Sequence, residues 1–258
     1  MKRLLLIIFF FPSIIYGQVK AGTQVVLNMQ VDQWHQQQAQ VYVPPDYGAA
    51  PLPCSTTKKN FPLIIYIHGV GDWSSINAVI QNGPGKIIQD STAWKPEFIL
   101  ISPLFTWGWS NPSQIDAIIN WAEKNLQVDS TMIYLTGISA GGEGCYWYVC
   151  ASSYYASRIA AMVPMSAAGV DDFQTGRITS DSLLHRAVPT WDFCANNDPN
   201  GFYSINADYV NKLNGSIPGQ AHLTTIISNS HGPWIPFWSP LYKEGGRNVY
   251  DFLFSYKK

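Results

Sequence analysis

The sequence predicts an α/β fold with a mostly parallel central sheet and helices on both of its faces. Short runs of Val, Ile and Leu recur along the chain, as expected of strands that are buried on both faces. Segments with helical spacing of apolar residues lie between these runs, and strands that alternate with helices form parallel sheets. The chain has 258 residues and neither an internal repeat nor a low-complexity linker, so we expect one domain.

The predicted elements follow one another in a regular order. Two early antiparallel strands with alternating polarity are predicted at residues 24–31 and 38–43. Buried strands are predicted at 63–67, 98–101, 132–135, 159–163, 188–193 and 223–227. Helices are predicted at 115–126, 139–151, 204–213 and 249–256. Parallel strands end at the same edge of a sheet, and open α/β sheets hold their sites at that edge.

The N-terminus has the pattern of a secretory signal. Lys2 and Arg3 precede an apolar run over residues 4–11, which is too short to span a bilayer, and Gly17 provides a small residue for cleavage. We expect a signal peptide over residues 1–17 and one mature domain over 18–258, secreted or periplasmic. An uncleaved membrane anchor is the alternative. No second apolar run is long enough to be a transmembrane helix, so no stable membrane association is expected after cleavage.

Charge and composition narrow the classes of partner. The formal net charge is -1, so no basic field is available to attract nucleic acid, and none is expected as a partner. The 10 Trp and 14 Tyr residues suggest an amphipathic binding surface, because indoles offer a flat apolar face and one N–H. The expected partner is a small-molecule or polysaccharide ester.

The four cysteines give no metal site. Cys54, Cys145, Cys150 and Cys194 show no Cys-x-x-Cys or Cys/His spacing for zinc, so neither metal nor cofactor is predicted. Export permits disulfides. Cys145 and Cys150 fall on one predicted helix at a separation that places their Cα atoms more than about 7 Å apart, too far to bridge. The sequence leaves the pairing of the four open.

The strongest local signal is the stretch Gly137-Ile138-Ser139-Ala140-Gly141. It lies between a predicted strand and a predicted helix, which is the context that makes G-x-S-x-G a nucleophile elbow. A serine in this strained turn projects its hydroxyl above the sheet at a helix N-terminus, where the dipole favours developing negative charge. The motif therefore predicts Ser139 as the nucleophile of an α/β-hydrolase fold. The alternative is a glycine-rich turn with an incidental serine.

A serine nucleophile needs a base, and in this fold type the partners follow in the order Ser, acid, His. His231 lies just past the last predicted strand, on the edge where the site is expected, and is the predicted base. His222 is the alternative, although it starts that strand. The remaining histidines are His35, His68 and His185. Of these, His68 is expected to brace the loop in which it lies.

The acid is expected in the loop after the preceding strand. Asp198, in Asn-Asn-Asp-Pro, is the predicted acid, because it can hold the imidazole of His231 through its Nδ1–H. The same four residues are also ordinary turn chemistry. Asp192 would lie within the strand, whereas Asp171 and Asp172 follow the strand before and offer another position for the acid.

Backbone donors and aromatic rings complete the predicted site. One oxyanion donor is expected to be the N–H of Ala140, and the second the N–H of Val70 or Gly71 in the turn after the first buried strand. Four indoles converge on the same edge by topology, and they are candidates for stacking on a sugar ring or an aromatic acyl group. These indoles are Trp73, Trp107, Trp109 and Trp234. The alternative for each is a place in the core.

Several stretches occur together in one order: LIIYIHGVGD, NGPGKII, FILISP, VDSTMIYLTGISAGGEG, RIAAMVPMSAAG, VPTWDFCANNDPN and SNSHGPW. In this the chain resembles the secreted esterases related to poly(3-hydroxybutyrate) depolymerases and to the first family of carbohydrate esterases, which holds feruloyl and acetyl xylan esterases. It is most similar to a subgroup often labelled "predicted peptidase". The resemblance covers most of the chain from Pro62 onward and implies the triad Ser139, Asp198 and His231. Such relatives usually have His-Gly shortly before the acid, where this chain has Cys194-Ala195.

These observations favour an exported carboxylic ester hydrolase that works through an acyl-enzyme on an ester-decorated plant polysaccharide or its fragments. A serine peptidase and a polyhydroxyalkanoate depolymerase are the alternatives within the same chemistry. A catalytically silent glycan-binding module is the alternative of another class, and the intact order Ser, Asp, His argues against it.

Overall fold

The computed structural model describes residues 19–33, 35–49, 58–106, 111–169, 178 and 188–258. The predicted signal peptide over residues 1–17 lies outside them. The strands are β1 Gln24–Gln30, β2 Gln36–Tyr42, β3 Phe61–Ile67, β4 Ile99–Pro103, β5 Val128–Ile138, β6 Ala161–Met165, β7 Thr190–Ala195 and β8 Ala221–Ile226. The α-helices are α1 Pro84–Asp90, α2 Pro112–Asn125, α3 Ala140–Ala151, α4 Ser153–Ser157, α5 Phe202–Ser216 and α6 Val249–Phe254. Two 3₁₀ turns cover Val70–Asp72 and Ile235–Trp238.

The eight strands form one sheet in the order β1-β2-β4-β3-β5-β6-β7-β8. The pairs β1–β2 and β2–β4 are antiparallel. All pairs from β4 through β3 to β8 are parallel. The prediction of two early antiparallel strands followed by a parallel sheet is confirmed.

Helices cover both faces of this sheet, as the sequence predicts. Along β3 the side chains of Leu63 and Ile65 belong to one apolar cluster, whereas those of Ile64 and Tyr66 belong to another. The first cluster includes residues of α2, α3 and α5, and the second includes residues of α1, α6 and the 3₁₀ turn Ile235–Trp238. Each face of the parallel sheet is therefore covered by apolar side chains and shielded from solvent, which explains why its strands are continuous apolar runs.

The structure departs from the predicted elements mainly in their ends. The strand predicted at 132–135 runs from Val128 to Ile138, and a register shift near its polar start separates the pair Phe61–Val128 from the pair Leu63–Ile133. The strand predicted at 159–163 extends to Met165 although Pro164 has no N–H to donate. The N–H groups of Met162 and Ser166 donate to β7 and its flank on either side of this gap. The short helix α1 was not predicted.

The described cysteines Cys145, Cys150 and Cys194 are all buried. Cys54 lies outside the described residues. Within the described ranges, no group of His, Cys, Asp and Glu could hold a metal ion. The same ranges contain no helix that is both long and apolar enough to cross a bilayer.

Candidate active site

Ser139 stands at the junction between β5 and α3 in a strained backbone conformation. Its φ of 53° and ψ of -121° place it in a region that residues other than glycine rarely adopt. Its amide donates to the Met165 carbonyl at 2.9 Å, and its carbonyl accepts from the Glu143 and Ala168 amides. The neighbouring strand therefore helps to hold the strained turn in place.

Contacts around the elbow explain two of its glycines. A Cβ atom on Gly137 would lie 2.5 Å from the carbonyl of Gly141, and a Cβ atom on Gly141 would lie 2.1 Å from the carbonyl oxygen of Ile67. Both distances are far inside van der Waals contact, and in each case the obstructing atom belongs to the backbone. The G-x-S-x-G spacing is thus required by the close packing of α3 against the ends of β3 and β5.

The structure brings the three predicted triad residues into one hydrogen-bonded chain. The Ser139 Oγ lies 2.8 Å from the His231 Nε2. The His231 Nδ1 lies 2.7 Å from the Asp198 Oδ2. In the tautomer that suits both contacts, Nδ1–H donates to the carboxylate and Nε2 accepts from the serine hydroxyl, which is the arrangement a general base needs.

Asp198 is fixed on both of its oxygens. Its side chain is fully buried, and its Oδ1 accepts the Asn200 N–H at 2.8 Å. Further bonds join the loops after β7 and β8. The Asn197 Nδ2 donates to the Asn229 Oδ1 at 2.9 Å, and the Asn196 amide donates to the Ile226 carbonyl at 2.9 Å. The Asn-Asp-Pro sequence forms a turn, as its composition suggests, and this turn holds Asp198 against His231.

The imidazole of His231 lies between two aromatic side chains. The Trp234 ring is nearly perpendicular to it, at 87° with centroids 5.1 Å apart. The Phe202 ring lies at 72° with centroids 5.2 Å apart. Edge-to-face contacts of this kind are favourable and restrict the orientation of the enclosed ring.

The predicted oxyanion donors lie beside Ser139. Ala140 is the first residue of α3, and Val70 and Gly71 begin a 3₁₀ turn, so their N–H groups have no acceptor within their own helices. A Cβ atom on Gly69 would lie 3.4 Å from the Cβ of Ser139, which shows how closely this turn approaches Ser139. A Cβ atom on Gly71 would meet nothing within 4 Å, so the space beside Gly71 is open.

His68 braces the same turn, as the sequence analysis expects. Its Nδ1–H donates to the Gly69 carbonyl at 2.7 Å, and its Nε2 accepts the Phe105 N–H at 3.0 Å. Burial lowers the pKa of the His68 imidazole, while hydrogen bonds to the backbone oppose the shift. Both ring nitrogens are thereby engaged with backbone, and the neutral ring links the loops that follow β3 and β4.

A second support of this turn was not predicted. The side-chain Nδ2 of Asn82 donates to both carboxylate oxygens of Asp72, at 3.0 and 3.1 Å. The backbone carbonyl of Asn82 accepts the Trp238 Nε1–H at 3.0 Å. Burial raises the pKa of the Asp72 carboxyl, and the bond from Asn82 opposes that shift. Asn82 opens the NGPGKII stretch, so that motif was a signal for the contact, but sequence alone does not reveal its partner.

The other candidate residues have separate places. Trp73 is 41% exposed beside the Val70–Asp72 turn and remains a predicted substrate contact. Asp192 lies within β7, as expected, and is fully buried there against Tyr146. His222 bonds Glu244 at 2.8 Å near the start of β8. The candidates outside the described residues are Trp107, Trp109, Asp171, Asp172 and His185.

Comparison with known proteins identifies the fold. No protein-family model and no curated protein matches the chain. A thermostable esterase has a TM-score of 0.64 at 20% identity, over 91% of this chain and 63% of that one. A ferulic acid esterase has a TM-score of 0.61 at 16% identity, over 85% of this chain and 94% of that one. Carboxyl esterase 2 from the mycorrhizal fungus Tuber melanosporum has a TM-score of 0.59 at 19% identity, over 92% of this chain and 86% of that one. The chain thus spans less than two thirds of the thermostable esterase, and the predicted α/β-hydrolase fold is confirmed.

Proposed function

We propose that the protein is a serine carboxylic ester hydrolase in which Ser139, His231 and Asp198 form the catalytic triad. The observation that carries the proposal is the continuous chain from the Ser139 Oγ through the His231 imidazole to the Asp198 carboxylate, with links of 2.8 and 2.7 Å. A nucleophile, a base and a group that orients the base are the three parts that acyl transfer requires. The esterases among the structurally similar proteins support the same reaction class.

In the acylation step, the Ser139 Oγ attacks the ester carbonyl carbon while its proton passes to the His231 Nε2. The carbonyl oxygen becomes an oxyanion, and we assign its stabilisation to the N–H of Ala140 and the N–H of Val70 or Gly71. The bond from carbon to the alcohol oxygen then breaks. The leaving oxygen takes the proton from His231, and an acyl-Ser139 remains.

Water completes the cycle by the same route in reverse. The His231 Nε2 accepts a proton from the water that attacks the acyl carbon, and a second oxyanion forms at the same donors. When this intermediate collapses, the Ser139 Oγ leaves and takes the proton back from His231, and a carboxylic acid is released. The buried Asp198 carboxylate stabilises the imidazolium in both halves of the reaction.

The proposed substrate is an ester-decorated plant polysaccharide or its fragments, with a feruloyl or acetyl group as the acyl part. The resemblance to feruloyl and acetyl xylan esterases supports this choice, as does the exposed indole of Trp73 beside the Val70–Asp72 turn. We also propose that the enzyme is exported to the periplasm or secreted, on the basis of the N-terminal signal pattern.

Two measurements test the reaction class. The protein is incubated with a fluorophosphonate probe and, separately, with p-nitrophenyl acetate; labelling at Ser139 together with turnover is expected. A panel of acetyl, feruloyl, methyl and hydroxyalkanoate esters and a peptide anilide then identifies the substrate. Fastest turnover of the peptide anilide would favour a peptidase. Glycan binding with neither labelling nor turnover would show a binding module instead.

Trp73→Ala tests whether the indole of Trp73 binds the carbohydrate part of the proposed substrate. Loss of an exposed stacking platform should raise KM for a feruloylated oligosaccharide roughly 10-fold and leave KM for p-nitrophenyl acetate nearly unchanged, since the small ester does not extend to the indole. Tyr154→Ala is a suitable control, because this side chain is 56% exposed on α4 and contacts Arg158. Equal effects of Trp73→Ala on both substrates would contradict the platform.

A further inference from the structure

Ser166 shares with Ser139 an unusual backbone conformation. Among the described residues, these two serines are the non-glycine residues with a positive φ, 46° at Ser166 and 53° at Ser139. Ser166 follows β6 directly and is completely buried. Strain of this kind persists only where the surroundings enforce it, and it concentrates at functional sites. The proposed mechanism gives Ser139 a use for its strain but gives Ser166 none.

The segment Met165–Ala168 encloses the backbone of the nucleophile. The Met165 carbonyl accepts the Ser139 N–H at 2.9 Å, and the Ala168 N–H donates to the Ser139 carbonyl at 3.1 Å. The turn at Ser166 is what allows one short segment to bond both sides of Ser139. The position of Ser166 is therefore coupled to the position of the nucleophile by hydrogen bonds to backbone.

Asn206 of α5 fixes the same segment from the other side. Its Oδ1 accepts the Ala167 N–H at 3.0 Å, and its Nδ2 donates to the Ala167 carbonyl at 2.9 Å and to the Phe202 carbonyl at 2.7 Å. Asn206 is completely buried. A buried amide with all of these bonds formed leaves the segment little freedom to move.

The hydroxyl of Ser166 connects this fixed segment to the histidine loop. Its Oγ accepts the Trp234 Nε1–H at 3.2 Å. Trp234 in turn lies perpendicular to the imidazole of His231 at 5.1 Å. A Cβ atom on Gly232 would lie 2.1 Å from the Trp234 ring, so the indole also packs directly against its own loop.

We propose that Ser166 and Trp234 are positioning residues for the proposed esterase reaction, in which Ser166 holds the indole and the indole holds the imidazole of His231 in line with Ser139. Because Ser166 also belongs to the segment that bonds the Ser139 backbone, one strained serine sets both ends of the Ser139–His231 contact. The inference rests on the proposed function only for its kinetic consequences. The proton resonance of the His231 Nδ1–H reports the orientation of the imidazole independently of turnover.

The imidazole of His231 needs such support because a histidine ring can rotate about its Cα–Cβ and Cβ–Cγ bonds. Asp198 restrains the ring at Nδ1, but a single hydrogen bond does not fix the plane of the ring. Perpendicular contacts with Trp234 and Phe202 fix that plane. Proton transfer depends steeply on this alignment, so loosening the indole should lower kcat without weakening substrate binding.

The kinetic test uses Trp234→Phe, Ser166→Ala and the double variant. Trp234→Phe keeps an aromatic ring but removes the N–H, and Ser166→Ala removes the acceptor while leaving the same Cβ on the strained backbone. Each should lower kcat for p-nitrophenyl acetate roughly 10-fold with KM unchanged, and the double variant should lose no more than either single variant. Trp191→Phe is the matched control, because it also breaks a bond from an indole to a hydroxyl, at 2.7 Å to Thr224, away from the triad. Its kcat should stay at the wild-type value.

The second readout is independent of turnover. The Nδ1–H of His231, bonded to Asp198, should give a downfield proton resonance in the wild type that shifts or broadens in Trp234→Phe and Ser166→Ala and stays in place in Trp191→Phe. Additive kinetic effects, an unchanged resonance in the first two variants, or a rise in KM with kcat intact would overturn the proposal; the last result would return Trp234 to substrate binding. If the wild type hydrolyses no ester but the resonance changes as expected, the proposed function fails and the positioning relation stands.

Discussion

Both ring nitrogens of His231 are hydrogen-bonded in the structure, one to Asp198 and the other to Ser139. Nδ1 faces Asp198 at 2.7 Å and Nε2 faces Ser139 at 2.8 Å. The carboxylate that selects this tautomer is itself fixed, since Asn200 occupies its other oxygen. In the proposed reaction the site therefore needs little rearrangement when the proton of Ser139 moves, and such preorganisation is a main source of catalytic power.

Removal of the nucleophile is the most direct test at this scale. Ser139→Ala should lower kcat for p-nitrophenyl acetate by roughly 10⁴-fold or more, because the oxyanion donors and substrate contacts remain but no acyl-enzyme can form. The melting temperature should not fall, since the hydroxyl bonds only His231. A purified variant that keeps more than about a tenth of wild-type activity would exclude Ser139 as the nucleophile.

Exchange of the acid tests the tautomer argument. In Asp198→Asn the amide can donate to Nδ1, which places the imidazole proton on Nε2, where it blocks acceptance of the Ser139 proton. We expect kcat to fall roughly 10³- to 10⁴-fold with little change in KM. Asp171→Asn and Asp172→Asn, at the other candidate position, should have small effects. The reverse ranking would move the acid to the loop after β6.

At the scale of elements, the backbones of α3, β3 and β5 pack closely together at the elbow. The N-terminus of α3 passes so close to the end of β3 that a Cβ on Gly141 would stand 2.1 Å from the Ile67 carbonyl oxygen and 2.7 Å from that of His68. The turn that carries Val70 and Gly71 continues from that same strand end. Close packing at Gly141 thus brings the predicted oxyanion donors and Ser139 together.

A methyl group at this crossing should disrupt it. Gly141→Ala is expected to lower the free energy of unfolding by about 3 kcal/mol, because backbone atoms must move. For a domain of this size that corresponds to a fall in Tm of roughly 6–12 °C. Gly71→Ala is the matched control for stability, since its Cβ would meet nothing within 4 Å. A Tm of Gly141→Ala equal to that of Gly71→Ala would contradict the packing argument.

Sequence reasoning succeeded where a motif or the topology of the fold sets the position of a residue, and it missed side-chain pairings that neither of these encodes. The succession of strands and helices along the chain and the spacing around Ser139 follow from periodicity and a motif. The structure places His231 and Asp198 in the loops where topology predicts them, and their catalytic roles stay a prediction. The bond from Trp234 to Ser166 joins residues 68 positions apart in the chain, and the bond from Asn82 to Asp72 joins residues ten positions apart. No periodicity encodes such pairings. The seven-residue helix α1 was missed because it is too short for helical spacing to show.

At the scale of the whole molecule, the sheet buries the carboxyl of Asp192, which the proposed reaction does not use. Asp192 lies in the middle of β7, is completely buried, and accepts the Tyr146 hydroxyl at 2.6 Å. Burial raises the pKa of its carboxyl to about 7, although the bond from Tyr146 opposes the shift. The core of the protein therefore contains a group whose charge changes near neutral pH.

This group should make stability depend on pH. The folded state keeps the Asp192 proton up to about pH 7, whereas the unfolded state releases it near pH 4. Between these values the folded state binds more protons, so the free energy of unfolding falls as the pH rises. Each pKa unit corresponds to about 1.4 kcal/mol, so the loss across the window should reach a few kcal/mol.

Asp192→Asn removes this dependence, because an amide does not ionise. The measurement is Tm from pH 4 to pH 8 for wild type and variant. The difference in Tm, variant minus wild type, should become more positive by several degrees as the pH rises, whatever fixed cost the amide has in the core. Asp90→Asn, at a side chain that is 58% exposed, is the control for the exchange of a surface carboxyl for an amide. A constant difference for Asp192→Asn would show that the buried carboxyl does not change its charge within this window.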